Sequence, residues 1–574
     1  MRAEPAILAS SPAPGAIADA SRRLGLSPAG ARWLLTQQGG NWESLEKFLN
    51  PSIAQLYSPW LLPDMQPAVA RLQKALRQRE GILIYGDYDV DGTTAATVLR
   101  VMLQRLGAQP QCYIPHRLNE GYGLRAEVLE KAASDGIRVV ITVDNGIRAH
   151  AELERARQLP LDVIVTDHHP PAGDLPPATA VVNPMRRDSG YPEAVLCGAG
   201  LAFKLGQALM EAEGRLAPGT YPAWLVSFFK LLALGTIADH VPLTGENRVF
   251  VRLGLDGLTK PSNPGLRALL EQALPGHCPI RAADVAFRLA PRLNAAGRMD
   301  HAEAVLRLFS ADTASAGQIA LQLDQWNQRR QACENAILEA IAQQAQAEPE
   351  RLTVPVLLFE GEGWHRGVLG SVAARLQRQY RHPALVMAHE DGRAHASGRS
   401  MRGFNLLASL EPCANLFTHF GGHAQAVGLT METRRVADLR QYLREVKLTV
   451  LDEAPAAPPF QLDLDEVLPF SQDLDRLGPF GAGNPEPQCF TPGVLLLRPV
   501  QWLKSKHLKL WVGAKGQAFE CLAWNAAERK VCADGQTTRL ANLNPGQRLD
   551  LNYRLELPNS RGGRLQWVLL YSEP

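Results

Sequence analysis

Between about residues 81 and 170, short uninterrupted apolar runs alternate with longer stretches of helical character. The apolar runs are GILIYG, VVITV and VIVT, and the stretches between them include TTAATVLRVMLQRLGA and RAHAELERARQL. Strands that are apolar on both faces are typical of a parallel sheet covered by helices on both sides. The pattern therefore predicts an α/β domain whose ligands bind beyond the carboxyl ends of the strands.

Each of these runs, and a later apolar stretch that begins at Phe228, ends in acidic or imidazole side chains. In chain order these are Asp87, Asp89 and Asp91; Asp144; Asp167, His168 and His169; and Asp239 and His240. In one doubly wound sheet, all four ends would converge on one edge. Carboxylates packed so closely raise one another's pKa unless a cation neutralises them. Oxygen and imidazole ligands without thiolates favour Mn²⁺ or Mg²⁺ over structural Zn²⁺.

An acid at the end of a single strand is more often a helix cap or a turn former than a metal ligand. The metal hypothesis therefore depends on the four segments together. A carboxylate shared by two cations holds them about 3.5–4 Å apart, the arrangement that activates water and stabilises a leaving oxygen in phosphoester hydrolysis. The pattern favours such a two-metal centre over a set of unrelated caps.

At 574 residues the chain is too long for a single core, so several domains are expected. Residues 312–346 contain no proline and have apolar residues at helical spacing, which predicts a long amphipathic helix that links two lobes. Mixed strand, glycine and helix signals after it predict a second α/β domain. The expected divisions are an N-terminal segment (1–60), a first α/β domain (61–311), the linking helix (312–350), the second α/β domain (351–452) and a C-terminal domain (453–574).

The C-terminal domain contains five alternating apolar runs separated by turn residues. They are GVLLLRPVQWL, HLKLWVGA, FECLAWN, RLDLNYRLEL and LQWVLLY. Five such strands predict a small β-barrel, with the oligonucleotide-binding (OB) type as one candidate. Residues 491–574 carry 12 Lys and Arg against 6 Asp and Glu. The tryptophans interleaved with this charge, Trp502, Trp511, Trp524 and Trp567, belong either to a single-strand groove or to the barrel core.

Composition and charge exclude several classes of protein. Apolar residues at 46% and charged residues at 21% indicate a folded globular chain. The net charge of +2 requires any nucleic-acid role to rest on local basic patches. Since no apolar run approaches the roughly 18 residues of a membrane span, and the N-terminus lacks a signal-peptide core, no membrane association and a cytoplasmic location are expected. The eight cysteines form no CxxC pair, which favours reduced thiols.

Seven motifs resemble those of the DHH phosphoesterase family, whose naming motif is Asp167, His168 and His169. In chain order they are GDYDVDG, VDNG, TDHH, GTIADHVPL, PRLNAAGRM, SGRS and GGHAQAVG. These motifs are similar to those of the single-strand-specific 5'→3' DNA exonucleases, which form one branch of the family. The resemblance extends from about residue 60 to the end of the chain. The resemblance implies a DHH catalytic domain with a parallel sheet, a DHH-associated α/β domain after the long helix, and an OB-type nucleic-acid-binding barrel.

The resemblance also implies roles for the acids and imidazoles at the strand ends. The implied metal ligands are Asp89, Asp91, Asp144, His168 and Asp239, with Asp144 as the bridge between two ions and Asp87 as a further candidate. His169 is expected beside the metals, where it would position the scissile phosphate.

A 5'-exonuclease must recognise a terminal phosphate, and arginine does this through bidentate, charge-assisted hydrogen bonds. By resemblance, Arg117, Arg298, Ser397 and Arg399 are expected to grip the 5' end, and Tyr122 to stack on a base. The glycine-rich loop of the DHH-associated domain, with Gly421, Gly422 and His423, is expected to contact nucleic acid, since glycine permits close backbone approach to a phosphate.

The function expected from these observations is hydrolysis of single-stranded DNA from the 5' end by a two-metal mechanism, with release of 5'-mononucleotides, in DNA recombination and repair. Two alternatives are open. The first is a DHH phosphodiesterase of cyclic dinucleotides or short oligonucleotides, and the second is a non-catalytic replication scaffold that binds single strands. The family also implies a single-strand-binding protein and a RecQ-type helicase as partners.

Overall fold

In the computed structural model of the protein, the apolar runs after residue 81 are strands and most of the stretches between them are helices. The structure describes residues 12–39, 41–121, 123–276, 279–447, 458–514, 516–526, 528–557 and 565–570.

The helices within these residues are α1 (Pro14–Leu24), α2 (Pro28–Gln38), α3 (Trp42–Leu49), α4 (Met65–Gln78), α5 (Val90–Arg105), α6 (Ala126–Ser134), α7 (His150–Ala156), α8 (Gly198–Ala212), α9 (Ala223–Val226), α10 (Phe229–Ala238), α11 (Gly245–Leu258), α12 (Pro264–Ala273), α13 (Ala282–Asp284), α14 (Ala290–Met299), α15 (Glu303–Ser310), α16 (Thr313–Ala347), α17 (Leu369–Tyr380), α18 (Leu406–Leu410), α19 (Val436–Glu445) and α20 (Leu464–Leu477).

The strands are β1 (Gly81–Gly86), β2 (Gln111–Tyr113), β3 (Ile137–Val143), β4 (Asp162–Thr166), β5 (Ala180–Val182), β6 (Leu357–Glu362), β7 (Ala384–Glu390), β8 (Arg393–Arg399), β9 (Phe417–His423), β10 (Ala426–Glu432), β11 (Phe460–Gln461), β12 (Cys489–Leu496), β13 (Gln501–Leu503), β14 (His507–Ala514), β15 (Gln517–Ala523), β16 (Lys530–Ala533), β17 (Gln536–Arg539), β18 (Arg548–Glu556) and β19 (Gln566–Leu569).

The described residues divide into two compact units. The first contains those within residues 1–113, 123–290 and 457–574, and the second those within 114–122 and 291–456.

The first unit is built on a five-stranded parallel sheet with the order β2-β1-β3-β4-β5. β1, β3 and β4 are neighbours, so their carboxyl ends lie side by side. The core residues of these strands are buried on both faces, as the uninterrupted apolar runs predict. This confirms the predicted parallel sheet and places its three polar strand ends at one edge.

The N-terminal helices pack against the C-terminal domain within the same unit. Trp33 and Leu34 of α2 share a buried core with Phe470 and Leu474 of α20 and with the strands that follow. The Ser27 hydroxyl, which caps α2, also donates to the Asp473 carboxylate at 2.6 Å. Since these partners lie more than 400 positions apart in the chain, the sequence patterns did not predict the contact.

The C-terminal domain contains the five predicted barrel strands. The barrel closes in the order β12-β14-β15-β19-β18, because β18 pairs with both β19 and β12. The predicted five-stranded OB-type barrel is thus confirmed. The structure adds short strands that the sequence analysis did not resolve: β11, β13 and the β16–β17 hairpin.

The second unit contains the predicted long helix and a second mixed α/β domain. Its sheet has the order β6-β7-β8-β10-β9, in which β6 and β7 are parallel and the remaining pairs are antiparallel. Ile337 and Ile341 of α16 pack in one core with Leu357 and Phe359 of β6. The long helix expected over residues 312–346 is therefore present, and its apolar side covers the sheet.

Within the described residues, no helix combines the length and the apolar character needed to cross a bilayer.

Candidate functional site

The carboxyl ends of β1, β3 and β4 bring the predicted acids and imidazoles of the first unit together. Among the described residues, three sets of acidic and histidine side chains have ligand atoms within 4.8 Å of one another. They are Asp87, Asp89 and Asp144; Asp91, His168 and Asp239; and Asp144, His168 and His169. Asp144 and His168 each belong to two sets, so the groups form one continuous cluster.

The acids after β1 are held by the start of α5. Asp89 caps the helix, and its Oδ1 accepts the Gly92 N–H at 3.0 Å. Asp91 lies in the first turn and is 1% exposed. A side chain at Gly92 would meet the backbone of Asp87 at 2.6 Å, so glycine is required for this turn to close. The alternate acids of GDYDVDG thus come from one strand-to-helix turn.

Asp144 follows β3 in a backbone conformation that favours glycine. Its φ is +66°, and its N–H donates to the Thr166 carbonyl at 3.0 Å. The next residue, Asn145, is buried and donates to the Val143 carbonyl at 3.0 Å. Left-handed non-glycine residues cost free energy and concentrate at functional sites. The turn aims the Asp144 carboxylate at the centre of the cluster.

The two histidines after β4 have different environments. The His168 Nε2 lies 2.9 Å from Asp144 Oδ1, 3.5 Å from Asp239 Oδ2 and 3.8 Å from Asp91 Oδ2. The His169 Nδ1 lies 2.7 Å from Asp167 Oδ1 instead. Asp167 is fully buried and also accepts the Ile147 N–H at 2.9 Å. Asp167 therefore orients His169, while His168 faces the carboxylates.

Asp239 reaches the cluster from a helix and not from a strand. The expected convergence of the four run ends is confirmed, but the fourth run is not part of the sheet. Phe229–Ala238 forms α10, with Asp239 at its C-terminal cap. A buried apolar run of about ten residues cannot be assigned to a strand or a helix by periodicity alone. His240, which follows, belongs to none of the three sets.

Burial and mutual repulsion perturb the pKa values of the cluster. Burial and then the charges of Asp91, Asp89, Asp87 and Asp239 raise the pKa of Asp144 well above its usual range. Burial, followed by Asp91 and Asp89, raises the pKa of Asp239 to about 8. Burial lowers the pKa of His168, which favours the neutral imidazole that a metal requires. A divalent cation would relieve this repulsion, and the donor set of carboxylates and one imidazole suits Mn²⁺ or Mg²⁺.

The N-terminus of α8 also contacts the cluster, through residues that the sequence analysis missed. The N–H groups of Gly198 and Ala199 donate to the two oxygens of Asp91 at 2.5 and 2.9 Å. A side chain at Gly198 would lie 2.6 Å from the Asp144 Cβ, and one at Gly235 would lie 2.5 Å from Asp91 Oδ1. Glycines in otherwise apolar helical stretches, LCGAGLAF and LLALGTIAD, were the available signal.

The four side chains predicted to bind the 5' phosphate, Arg117, Arg298, Ser397 and Arg399, all lie in the second unit. A side chain at Gly370, in the first turn of α17, would meet Ser397 Oγ at 3.0 Å and an Arg399 guanidinium nitrogen at 3.1 Å. Arg298 is half-buried, and burial followed by the charges of Arg117 and Arg330 lowers its pKa to about 9. Arg399 contributes to the same repulsion, whereas Glu334 opposes it.

We refer to Arg117, Arg298, Arg330 and Arg399 as the arginine cluster. Positive side chains near the start of a helix form an environment that favours a phosphate. Arg330 was not singled out from the sequence. It donates to Glu334 Oε1 at 2.7 Å and to Asn327 Oδ1 at 2.9 Å, and all three residues belong to α16. Tyr122, the predicted stacking residue, lies outside the described residues.

The predicted glycine-rich loop is a β-hairpin. Gly421, Gly422 and His423 belong to β9, which pairs with β10, and all three are exposed. The expectation of a loop was wrong because paired glycines lack the alternating apolar pattern of a strand. A side chain at Gly422 would meet the Ala426 carbonyl oxygen at 2.2 Å.

The hairpin lies in the same sheet as two of the predicted phosphate ligands. β10 pairs Gly428 with Ser397 on one side and with Gly421 on the other. It likewise pairs Ala426 with Arg399 and with His423. Residues directly opposite each other project from the same face, so Ser397, Arg399 and His423 share one face of this sheet.

The four tryptophans of the barrel divide between core and surface. Trp567 is fully buried and stacks on Tyr553 with ring centroids 4.0 Å apart. Trp502 and Trp524 are each 46% exposed, and Trp524 contacts the ring of His507 at 4.9 Å. Trp511 lies beneath Arg498 and Lys509. The core interpretation is therefore confirmed for Trp567, whereas the single-strand groove stays a prediction for the exposed Trp502 and Trp524.

Comparison with protein-family models matches three segments of the chain. Residues 81–236 match the DHH family N-terminal domain, residues 351–447 match the DHHA1 domain, and residues 460–569 match the RecJ OB domain.

The chain is also similar over most of its length to curated proteins. It is 33% identical over 571 residues to the single-stranded-DNA-specific exonuclease RecJ of Dickeya dadantii (strain 3937), in a match that covers 95% of each chain. The chain belongs to the RecJ family. The RecJ of Bacillus subtilis (strain 168) is 36% identical over 518 residues, which are 88% of this chain and 64% of that longer protein.

The solved RecJ structures agree with this membership. RecJ of Thermus thermophilus in complex with Mn²⁺ has a TM-score of 0.76 and 29% identity, and the match covers 98% of this chain and 79% of that one. The structure of the same RecJ in complex with Mg²⁺ has a TM-score of 0.73 and 27% identity, with 98% and 78% covered.

Proposed function

We infer that this chain is a metal-dependent exonuclease specific for single-stranded DNA, which degrades it 5'→3' to 5'-mononucleotides in DNA recombination and repair. One observation carries the inference. The buried carboxylate and histidine cluster stands at the strand ends of a chain that matches a RecJ along 95% of both lengths. A phosphodiester hydrolase of this kind needs such a cluster to hold its cations.

Asp89, Asp91, Asp144, His168 and Asp239 would hold the two ions, either Mn²⁺ or Mg²⁺, and Asp87 is a further candidate. Asp144 would be the ligand shared by both ions, which is supported by its membership of two of the three ligand sets. When bound, the ions supply the Lewis acidity that activates water and stabilises the leaving oxygen. The two N–H donors at the Cys197-capped start of α8 orient the Asp91 carboxylate and favour its ionised form.

His169 positions the scissile phosphate. Its Nδ1 is bonded to the buried Asp167, which holds the ring in one orientation beside Asp144 and His168. A carboxylate that fixes one ring nitrogen also fixes which tautomer the other nitrogen presents. A hydrogen bond from this ring to a phosphate oxygen would align the substrate.

The 5' end of the substrate binds at the arginine cluster, with Ser397 and the first turn of α17. The support is electrostatic: burial and then the charges of the neighbouring arginines lower the pKa of Arg298, and a bound anion would oppose that repulsion. The sugar-phosphate backbone of the DNA is contacted by Gly421, Gly422 and His423 of β9. This hairpin strand is exposed, and β10 connects it to Ser397 and Arg399 in the same sheet. Tyr122 stacks on a base in this proposal.

The C-terminal barrel contributes further contacts to the single strand. Trp502 and Trp524 offer exposed rings, and Lys504 and Lys506 lie in the exposed turn next to Trp502. Stacking on aromatic side chains combined with phosphate contacts is tolerant of sequence, as a general exonuclease requires.

We also propose that the domain boundaries expected from the sequence separate these roles. They are 61–311 for catalysis, 312–350 for the linking helix, 351–452 for the DHH-associated domain and 453–574 for the OB domain, with 1–60 as an N-terminal segment. A single-strand-binding protein and a RecQ-type helicase remain predicted partners, and a cytoplasmic location remains a prediction.

The two alternatives are not favoured. A phosphodiesterase of cyclic dinucleotides does not require a nucleic-acid-binding barrel, and residues 460–569 match the RecJ OB domain. A non-catalytic scaffold does not require metal ligands, whereas the three sets of acids and histidines all meet ligand spacing.

The test is digestion of a long single-stranded DNA labelled separately at each end, with Mn²⁺, Mg²⁺ or EDTA and a matching duplex as control. We expect metal-dependent release of labelled mononucleotide from the 5' end of the single strand alone. Binding without cleavage under every metal would favour the scaffold. Cleavage confined to dinucleotides would favour the small-substrate phosphodiesterase.

A further inference from the structure

Three consecutive polar residues in the first turn of α11 are buried, although none of them belongs to the carboxylate cluster. Glu246, Asn247 and Arg248 are 0%, 1% and 2% exposed. Successive residues of a helix project about 100° apart, so the three side chains point to three different parts of the first unit. Burying polar groups is costly unless each is bonded. Here each side chain has a distinct set of partners, and among the described residues only Oδ1 of Asn247 lacks one within this group of three.

Glu246 connects α11 to α8 and to the N-terminal segment. Its Oε1 accepts the Lys204 ammonium and the Tyr57 N–H, both at 2.6 Å, and its Oε2 accepts the Tyr191 hydroxyl. Lys204 belongs to α8, and neither partner of this ion pair is exposed. A buried ion pair is weak evidence for stability but a known means of specifying one arrangement.

The segment that leads into α8 is attached to α11 at every second residue. The Tyr191 hydroxyl donates to Glu246, and Glu193 Oε2 accepts the Glu246 N–H at 3.3 Å. The Val195 carbonyl accepts Nδ2 of Asn247 at 2.6 Å. Cys197, which caps α8, comes two residues later. Of these contacts between α11 and the segment 191–197, the one made by the Asn247 side chain lies nearest to the start of α8.

The start of α8 is where the proposed metal ligand Asp91 is held. Both Asp91 oxygens accept N–H groups from this turn, those of Gly198 and Ala199. Gly198 also lies against the Asp144 side chain, where an added Cβ would come within 2.6 Å. A shift of the first turn of α8 would consequently move a ligand and press on the proposed bridge.

Arg248 is equally buried but its contacts lead elsewhere. Its Nε donates to the Phe48 carbonyl at 2.7 Å, and one terminal nitrogen donates to the Leu477 and Gly478 carbonyls at 3.2 and 2.5 Å. Its guanidinium lies 3.6 Å from the ring centroid of Phe48. These bonds connect α11 to the end of α3 and to the C-terminal end of α20, so Arg248 provides a control of matched burial on the same turn.

We propose that Asn247, supported by Glu246, is a positioning residue for the metal centre. It fixes the segment 191–197 and thereby the turn of α8 that orients the Asp91 carboxylate. The inference rests on the proposed metal-dependent function. It assigns Asn247 an effect on metal affinity that Arg248 lacks.

The experiment compares Asn247→Leu with Arg248→Lys in the full chain. Mn²⁺ binding is measured by the electron paramagnetic resonance signal of free Mn²⁺, and thermal unfolding is measured without metal. We expect Asn247→Leu to raise the Mn²⁺ dissociation constant about tenfold, the size typical of residues that orient metal ligands. We also expect DNA hydrolysis by this variant to recover as Mn²⁺ is increased. Arg248→Lys should lower the unfolding temperature and leave Mn²⁺ affinity unchanged.

Equal Mn²⁺ affinity in wild type and Asn247→Leu, or equal weakening by both substitutions, would overturn the positioning role. If Asn247→Leu does not fold, Asn247→Ser provides the same test, because its hydroxyl is too short to reach Val195. Wild-type protein that binds no Mn²⁺ would contradict the proposed function itself, so the two failures are distinguishable.

Discussion

The carboxylate cluster of the first unit and the arginine cluster of the second are electrostatic opposites. In the first, burial and neighbouring acids raise the pKa values of Asp144 and Asp239. In the second, burial and neighbouring arginines lower the pKa of Arg298. Each cluster gathers like charges that repel, so each is stabilised by a ligand of the opposite sign. In the proposed function those ligands are divalent cations and a terminal phosphate, because a metal-dependent 5'-exonuclease has to bind both.

The two clusters also differ in how their side chains are held. Asp89 and Asp91 are short and accept N–H groups from the first turns of α5 and α8. Arginines are long and take their positions from other side chains and carbonyl groups, as Arg330 does from Glu334 and Asn327. Short acids follow the backbone, so fewer rotatable bonds separate the carboxylates from the helices that hold them. Substitutions should accordingly have larger effects in the first cluster than in the second.

The largest effect is expected for Asp144→Ala. Loss of the proposed bridging ligand should reduce DNA hydrolysis by about 10³-fold or more, since preorganised groups that stabilise transition-state charge contribute on this scale. Single-strand binding should persist, because the arginine cluster and the barrel are unchanged. Turnover is measured with saturating Mn²⁺ and binding by fluorescence anisotropy. Asp174→Ala, an exposed acid of the same unit, is the control. Turnover equal to the wild type would remove Asp144 from the mechanism.

A smaller effect is expected for Arg399→Ala in the arginine cluster. A charge-assisted hydrogen bond contributes about 1.5–3 kcal/mol, so the preference for a 5'-phosphate over a 5'-hydroxyl should fall by roughly 10- to 150-fold. The measurement is kcat/KM on the two substrates. Arg434→Ala, an exposed arginine in the same unit that pairs with Glu432, should leave the preference unchanged. Equal loss on both substrates would show that Arg399 does not read the terminal phosphate.

Trp524→Ala tests a region that belongs to neither cluster. Stacking of a base on an aromatic ring contributes about 1–3 kcal/mol, so binding of a 30-nucleotide strand should weaken by at least about fivefold. The rate at saturating DNA should not change, because the metal centre is intact. Trp60→Ala removes a tryptophan of similar exposure outside the barrel and is the control. A lower maximal rate with unchanged binding would contradict the assignment.

The smallest effect concerns Glu193, a partly buried acid outside both clusters. Burial, opposed by the Glu246 N–H and reinforced by the Glu246 charge, raises its pKa from 4.5 to about 7. Because the folded pKa is raised, its contribution to stability is present below pH 4.5 and is lost as the pH rises through 7. Glu193→Gln should therefore unfold at a higher temperature than the wild type at pH 8, by no more than about 3 °C, and at the same temperature near pH 4.5.

Thermal unfolding at the two pH values measures this difference, with Glu303→Gln, an exposed acid, as the control. A variant that is less stable than the wild type at pH 8 would show that the Glu193 carboxylate stabilises the start of α11 in its charged form. That result would separate Glu193 from the acids of the carboxylate cluster, whose repulsion requires a cation.

The fold was predictable where the local pattern is strong. The apolar strands β1, β3 and β4 and the helix α16 follow from periodicity, and the convergence of Asp89, Asp144 and His168 follows from the parallel sheet. Asp239 was expected at the end of a fourth run, but that run is a helix. The docking of α2 against α20 was not predictable, because it joins residues more than 400 positions apart.

Some of the candidate functional residues were likewise predictable from the sequence, and others were not. Motif resemblance singled out the acids and the arginines, whose metal and phosphate roles remain proposals. It did not single out Gly198, Gly235 or Asn247, since these act through close approach or through a backbone carbonyl that only the folded structure reveals. Gly421 and Gly422 were placed in a loop and lie in β9, because glycine carries no strand signal.

The most direct test of the central claim is the number of Mn²⁺ ions bound per chain, measured by equilibrium dialysis for the wild type and for Asp144→Asn. The proposed two-metal centre predicts two ions in the wild type and fewer than two in Asp144→Asn, which keeps the shape of the side chain but removes its charge. No bound ion in the wild type, or the same number in both proteins, would contradict the account.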